Sequence, residues 1–225
     1  MDWLLTASAW ILPALIAITF HEAAHGWAAM RLGDDTALRA GRVTFNPLRH
    51  VDPLGTVALP AILAITQAPF LFGWAKPVPV NFGRLRQPRR DMVLVALAGP
   101  GVNLLLALVA AFAFHGVPYL PDMIDEWVAE NLRIAIQLNL VLAVFNMLPL
   151  PPLDGGRVAV GLLPYSLAAP LARLEPYGML IVILGLFIAP MIGRELGQNW
   201  SIFGWLVGGP VNYLLDLLLI ASGHR

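Results

Sequence analysis

His21-Glu22-Ala23-Ala24-His25 places two imidazoles four residues apart, with a carboxylate beside the first. On a helix that spacing stacks both rings on one face, where they can share one divalent cation. A glutamate at their side can take a proton from an attacking water, which is the chemistry of metal-assisted hydrolysis. The chain has only five histidines, so a chance match to this pattern is about 0.2% and the spacing is itself a signal.

Two histidines do not complete such a site, because a catalytic zinc ordinarily takes three protein ligands and keeps a fourth position open. Cysteine is absent, so the third ligand must be His, Asp or Glu. His50, His115 and His224 lie outside the apolar spans and read as loop, interface or terminal residues. Asp154 is the better candidate. It follows an apolar span and the break Asn146-Met147-Leu148-Pro149-Leu150-Pro151-Pro152-Leu153. The prolines end a helix and free backbone groups, and Gly155-Gly156 permits a tight turn. A carboxylate there is costly unless a cation meets it. Capping a helix from residue 155 onward is the alternative use of the same side chain. Asn146 reads either as a helix-terminal hydrogen bonder or as a polar group of the site.

The elements that must hold these residues are apolar. The chain of 225 residues is 58% hydrophobic and 12% charged, about half the charge of a typical soluble domain. Its mean hydropathy is +0.72. That excludes a disordered chain, a nucleic-acid binder and an ordinary cytosolic globule. The expected fold is an α-helical polytopic membrane protein with five to six membrane segments and a re-entrant β-hairpin or loop. It is read as one membrane-embedded domain over 1–225, with a core at about 3–160 and further spans within about 177–221. Residues 3–20 are uncharged and run into His21, Glu22 and His25, so the motif sits inside the first long helix. Its lack of a basic start argues against a cleavable signal peptide. Clean spans follow at 92–114, 133–148, 177–192 and 202–221, while 54–72 is interrupted by Pro60, Gln67 and Pro69.

Loop charge sets the expected orientation. Arg31, Arg39, Arg42 and Arg49 follow the first span, and Lys76, Arg84, Arg86, Arg89 and Arg90 follow 54–72, whereas 115–131 carries only acidic residues. Both basic loops share the cytoplasmic side if 54–72 dips in and returns. The site then lies within the bilayer, nearer the cytoplasmic face. Between these loops, Gly73-Trp74-Ala75-Lys76-Pro77-Val78-Pro79-Val80-Asn81 has prolines at alternate positions. That fits an extended loop, or an edge strand able to pair with an incoming extended peptide.

Three motifs recur together in order: His21, Glu22 and His25; Gly99-Pro100-Gly101-Val102-Asn103 opening a core span; and Asn146, Pro149, Asp154 and Gly155. Over about residues 10–160 the chain resembles the site-2 proteases, the zinc intramembrane metalloproteases. It looks closest to the short bacterial members without PDZ or CBS domains. The resemblance implies one zinc per chain held by His21, His25 and Asp154, with Glu22 as the base and Asn146 and Asn103 near the catalytic centre. It implies a re-entrant β-hairpin near 40–82 that meets the substrate; the edge-strand reading of the prolines makes Val78, Pro79, Val80 and Asn81 the expected contacts. It implies single-pass membrane proteins or peptides as substrates, in a bilayer and without nucleic acid, for a multi-pass cell-membrane protein of bacterial type. The alternatives are a metal-ion transporter, a scaffold with a structural metal, and a zinc hydrolase acting on lipids or prenyl chains. A transporter needs several weak sites along a path, whereas here the ligands concentrate at one point.

Overall fold

Helix α1 (Trp3–Arg31) is 29 residues long, about 43 Å at 1.5 Å per residue. Pro13 lies inside it without interrupting it. The helix stops where Gly33 takes φ +112° and the Asp34 amide reaches back to the Ala29 carbonyl at 2.9 Å, the closure that a left-handed residue permits. The computed structural model describes residues 3–65, 73–198, 201 and 203–224. After α1 come a short α2 (Thr36–Arg39) and a π-helical turn (Pro53–Ala58) leading into α3 (Leu59–Ile65). The expected dip at 54–72 therefore begins as helix, and its residues 66–72 lie outside those described.

Helix α4 (Pro88–Phe114) is the hub, packed against α1, α5 (Asp125–Asn146) and α6 (Asp154–Leu162). Small residues make this closeness possible. Ala107, Ala110 and Ala111 of α4 meet Ile136 and Leu140 of α5 in one buried cluster. Pro88 opens α4, and the Asp91 carboxylate accepts the Gln87 amide at 2.8 Å, one half of a capping box. Beyond α6 lie α7 (Tyr165–Ala172), α8 (Glu175–Ile183), α9 (Ala189–Glu195) and α10 (Gly209–Ala221).

Among the described residues three helices are long and apolar enough to cross a membrane: Pro88–Phe114, Asp125–Asn146 and Gly204–Ala221. A fourth results if α7 and α8, bent by 64°, form one span. Leu105, Val109 and Phe112 of α4 are more than half exposed, an apolar surface suited to lipid. The expectation of five to six segments is thus met only as a helical chain with three or four such spans.

No strand forms among the described residues, so the β-hairpin expected near 40–82 does not appear among them, and 73–81 is an irregular strap. The reason is chemical. Pro77 and Pro79 carry no N–H, and the strap's polar groups find partners in loops and side chains instead of a ladder. The Trp74 amide donates to the Gly55 carbonyl (3.1 Å) and the Lys76 amide to the His50 carbonyl (2.9 Å). Arg42 donates to the Lys76 carbonyl (2.5 Å), and the Asn81 amide donates to Asp34 (2.6 Å). Arg42 and His50, polar and almost fully buried, thus act as posts for the strap.

Asp34 is fully buried. Burial pushes its carboxyl up, but the Thr36 hydroxyl, the Asn81 and Thr36 amides and Arg84 outweigh this and hold it below the usual carboxylate range. A depressed folded pKa gives stability that is complete above the unfolded value, about 3.9, and is lost as pH falls through the folded one. Asp34→Ala strands two amides and should cost roughly 1–3 kcal/mol at neutral pH. The difference from the parent should shrink below pH 4, which thermal melts across pH will show; a pH-independent difference would remove Asp34 from this role.

Candidate metal centre

Helix α1 presents His21 and His25 toward α4 at Gly99, where a Cβ would fall onto both imidazoles. Gly99 is therefore required by close approach. Each ring is fixed from behind. His21 Nδ1 lies 2.6 Å from Asn103 Oδ1, and His25 Nδ1 lies 2.7 Å from the Val95 carbonyl. Both partners are acceptors, so each Nδ1 carries the proton and each Nε2 is left with a free lone pair. Asn103 is itself held, its Nδ2 donating to Asn139 Oδ1 (2.7 Å) and to the Ala17 carbonyl (3.3 Å). Asn139 in turn donates to the Ala135 carbonyl. A polar chain thus runs from α1 through α4 into α5.

The third group arrives on α6. The segment from Met147 to Leu153 turns tightly, and Gly155 and Gly156 have no room for a side chain against the Met147 and Leu148 carbonyls and Pro151. Asp154 is the first residue of α6, and its side chain does not cap the helix. It points instead at the histidines: Asp154 Oδ2 lies 3.2 Å from His21 Nε2 and 3.3 Å from His25 Nε2, and the two Nε2 atoms are 3.0 Å apart. All three residues are buried. Bonds of ~2.0–2.1 Å at tetrahedral angles would separate ligands by about 3.3 Å, so this triangle fits one zinc ion with little adjustment. Asp154 Oδ2 is buried with no hydrogen-bond donor, and a cation would satisfy it.

These groups line a cavity of about 310 Å³, together with Glu22, Asn146, Arg157 and the strap residue Val78. Glu22 Oε2 accepts the Val78 amide at 2.7 Å. Asn146 Nδ2 donates one proton to the Leu142 carbonyl (2.9 Å) and has a second to offer. Val80 also lines the cavity. Pro79 and Asn81 are not among its lining residues; the Asn81 side chain accepts the Gly83 amide. Asn103 stands behind His21, with both side-chain groups engaged.

The sequence reading missed Asn139, the Val95 carbonyl and Arg157. Asn139 had a usable signal, an amide in the middle of an apolar span; a backbone carbonyl has none. Asn103→Ala removes the acceptor behind His21 and should weaken zinc binding about 10- to 100-fold. Competition with a chromogenic chelator measures this, and an unchanged dissociation constant would sink it.

A family model described as "Peptidase family M50" matches residues 116–189. The chain is 41% identical over 186 residues to "Putative zinc metalloprotease YwhC" of Bacillus subtilis, covering 80% of each protein. The chain belongs to peptidase family M50. This M50 chain is also 31% identical over 203 residues to "Putative zinc metalloprotease Rip2" of Mycobacterium tuberculosis, which spans 90% of the chain and 71% of that relative. A shorter likeness, 41% over 64 residues, links it to "Putative zinc metalloprotease MJ0611" of Methanocaldococcus jannaschii, over 28% of the chain and 31% of that protein. No solved structure matches it. For an M50 peptidase the metal is zinc, and the buried His21, His25 and Asp154 group is of a kind that could hold it.

Proposed function

We propose that this membrane protein is a zinc-dependent intramembrane endopeptidase that cleaves single-pass membrane proteins in or near their apolar segments. His21, His25 and Asp154 are its ligands and Glu22 is its base. The observation that carries the assignment is the buried Nε2, Nε2, Oδ2 triangle with Glu22 in the same cavity. A zinc ion held by His21, His25 and Asp154 would supply Lewis acidity toward water and a peptide carbonyl. Glu22 takes the proton of the attacking water and hands it to the leaving amine. The Val78 amide fixes one Glu22 oxygen, so the carboxylate does not have to be ordered during the reaction. Asn146 donates its second amide proton to the substrate oxygen as charge builds. Asn103 and Asn139 hold the His21 ring in its ligand tautomer.

In this reading residues 1–225 act as one membrane-embedded domain, with 54–72 dipping into the bilayer and returning. The protein is a multi-pass protein of a bacterial cell membrane. The Arg and Lys excess shared by the 31–49 and 76–90 stretches supports a site nearer the cytoplasmic side. A transmembrane helix hides its backbone, so the substrate unwinds and lies extended along Val78, Pro79, Val80 and Asn81. The test is the purified chain in liposomes, with a single-span peptide and an ion-flux dye together. Peptide cleavage that stops on chelation and returns with zinc is expected. Zinc flux without cleavage would favour a transporter.

A further inference from the structure

Among the described residues lining the cavity, Arg157 is the one permanent cation. It lies three residues after Asp154, which puts the two side chains on one face of α6. Its guanidinium sits over the Phe82 ring, 5.4 Å from the centroid, so the residue that follows the strap carries it. Its polar partnership is thin. Nη2 is 3.4 Å from Glu175 Oε1, a half-exposed carboxylate, and Nε is buried with no hydrogen-bond partner. The side chain as a whole is about one-third exposed, but its Nε is not, and a buried donor left unpaired is costly unless something in the cavity uses it. The guanidinium presents a planar fork of donors that suits carbonyl and carboxylate oxygens. Phe82 follows the strap and Asp154 is a metal ligand, so this fork stands where a peptide lying on the strap comes up to the ligands.

We infer that Arg157 is a catalytic residue that touches the substrate. It donates to a main-chain carbonyl oxygen of the unwound peptide, and its charge offsets the negative charge that grows on the peptide oxygen as water adds. This rests on the peptidase reading above.

The experiment uses the full chain, zinc-loaded, in lipid nanodiscs, with a quenched-fluorescence peptide carrying one apolar span. Arg157→Ala should keep its zinc and lose about 10²-fold in kcat/KM. Added guanidinium ion should restore part of the rate in Arg157→Ala and none in Glu22→Ala. Glu175→Gln, which removes the ion pair and leaves the guanidinium, should cleave like the parent. A parent-like rate for Arg157→Ala overturns the inference. So does an equal loss in Glu175→Gln with no guanidinium rescue, which would make Arg157 a strut between α6 and α8. Peptide binding separates this from failure of the peptidase reading. In a Glu22→Gln background, Arg157→Ala should weaken peptide affinity about tenfold by anisotropy. Equal affinities overturn the inference whether or not the parent cleaves, whereas a parent that binds and never cleaves overturns the peptidase reading alone.

Discussion

Glu22→Gln should leave a folded, zinc-loaded protein whose peptide cleavage is down about 10³-fold or more, within or beyond the range for losing a general base. The substitution is chosen for the Val78 contact. Glu22 Oε2 accepts the Val78 amide, and the glutamine carbonyl can accept it equally, so the strap keeps its anchor. The ligand triangle of His21, His25 and Asp154 does not include Glu22, so metal content should hold. What disappears is the ability to carry a proton from water to the leaving amine. Zinc stoichiometry by elemental analysis and product mass spectrometry read the two halves separately. A Glu22→Gln protein that still cuts at the parental bond and rate would remove the residue from proton transfer.

Asp154→Ala should act on the other half. Spreading the ~10–16 kcal/mol of a four-ligand zinc site over its ligands gives roughly 2.5–4 kcal/mol each, or about 10²- to 10³-fold in affinity. Zinc should be lost on dialysis against a mild chelator that leaves the parent loaded, and activity with it. The fold should survive better than is usual for deleting a buried charge. Asp154 Oδ2 has no hydrogen-bond donor to strand, and its side chain does not cap α6. Retained zinc at full stoichiometry would remove Asp154 from the ligand set.

What was legible in the sequence was chemistry whose residue types are rare in apolar segments. His21, Glu22, His25 and Asp154 stand out because ionisable groups are costly there, and the structure brings His21, His25 and Asp154 within a few ångströms of one another. The second layer was not legible. Asn103 and Asn139 meet across two helices, 36 positions apart, and that pairing depends on how α4 and α5 slide past each other. The Val95 carbonyl is a backbone atom available in any sequence. The alternate prolines of 73–81 marked a stretch outside helices but not its partners, since the carbonyls of Gly55 and His50 and the side chains of Arg42 and Asp34 come from separate loops. The same prolines suggested a sheet edge, and their missing N–H groups are why no ladder forms.

The strap has a one-sided polarity. Pro77 and Pro79 have no N–H, and Val78 commits its own to Glu22, so residues 77–79 have only carbonyl oxygens to lend. A chain docking there must bring the donors, and its own carbonyls receive nothing back from those three residues. Such an edge disfavours prolines at the facing positions of the visiting chain. It also leaves that chain's carbonyl oxygens unclaimed by residues 77–79.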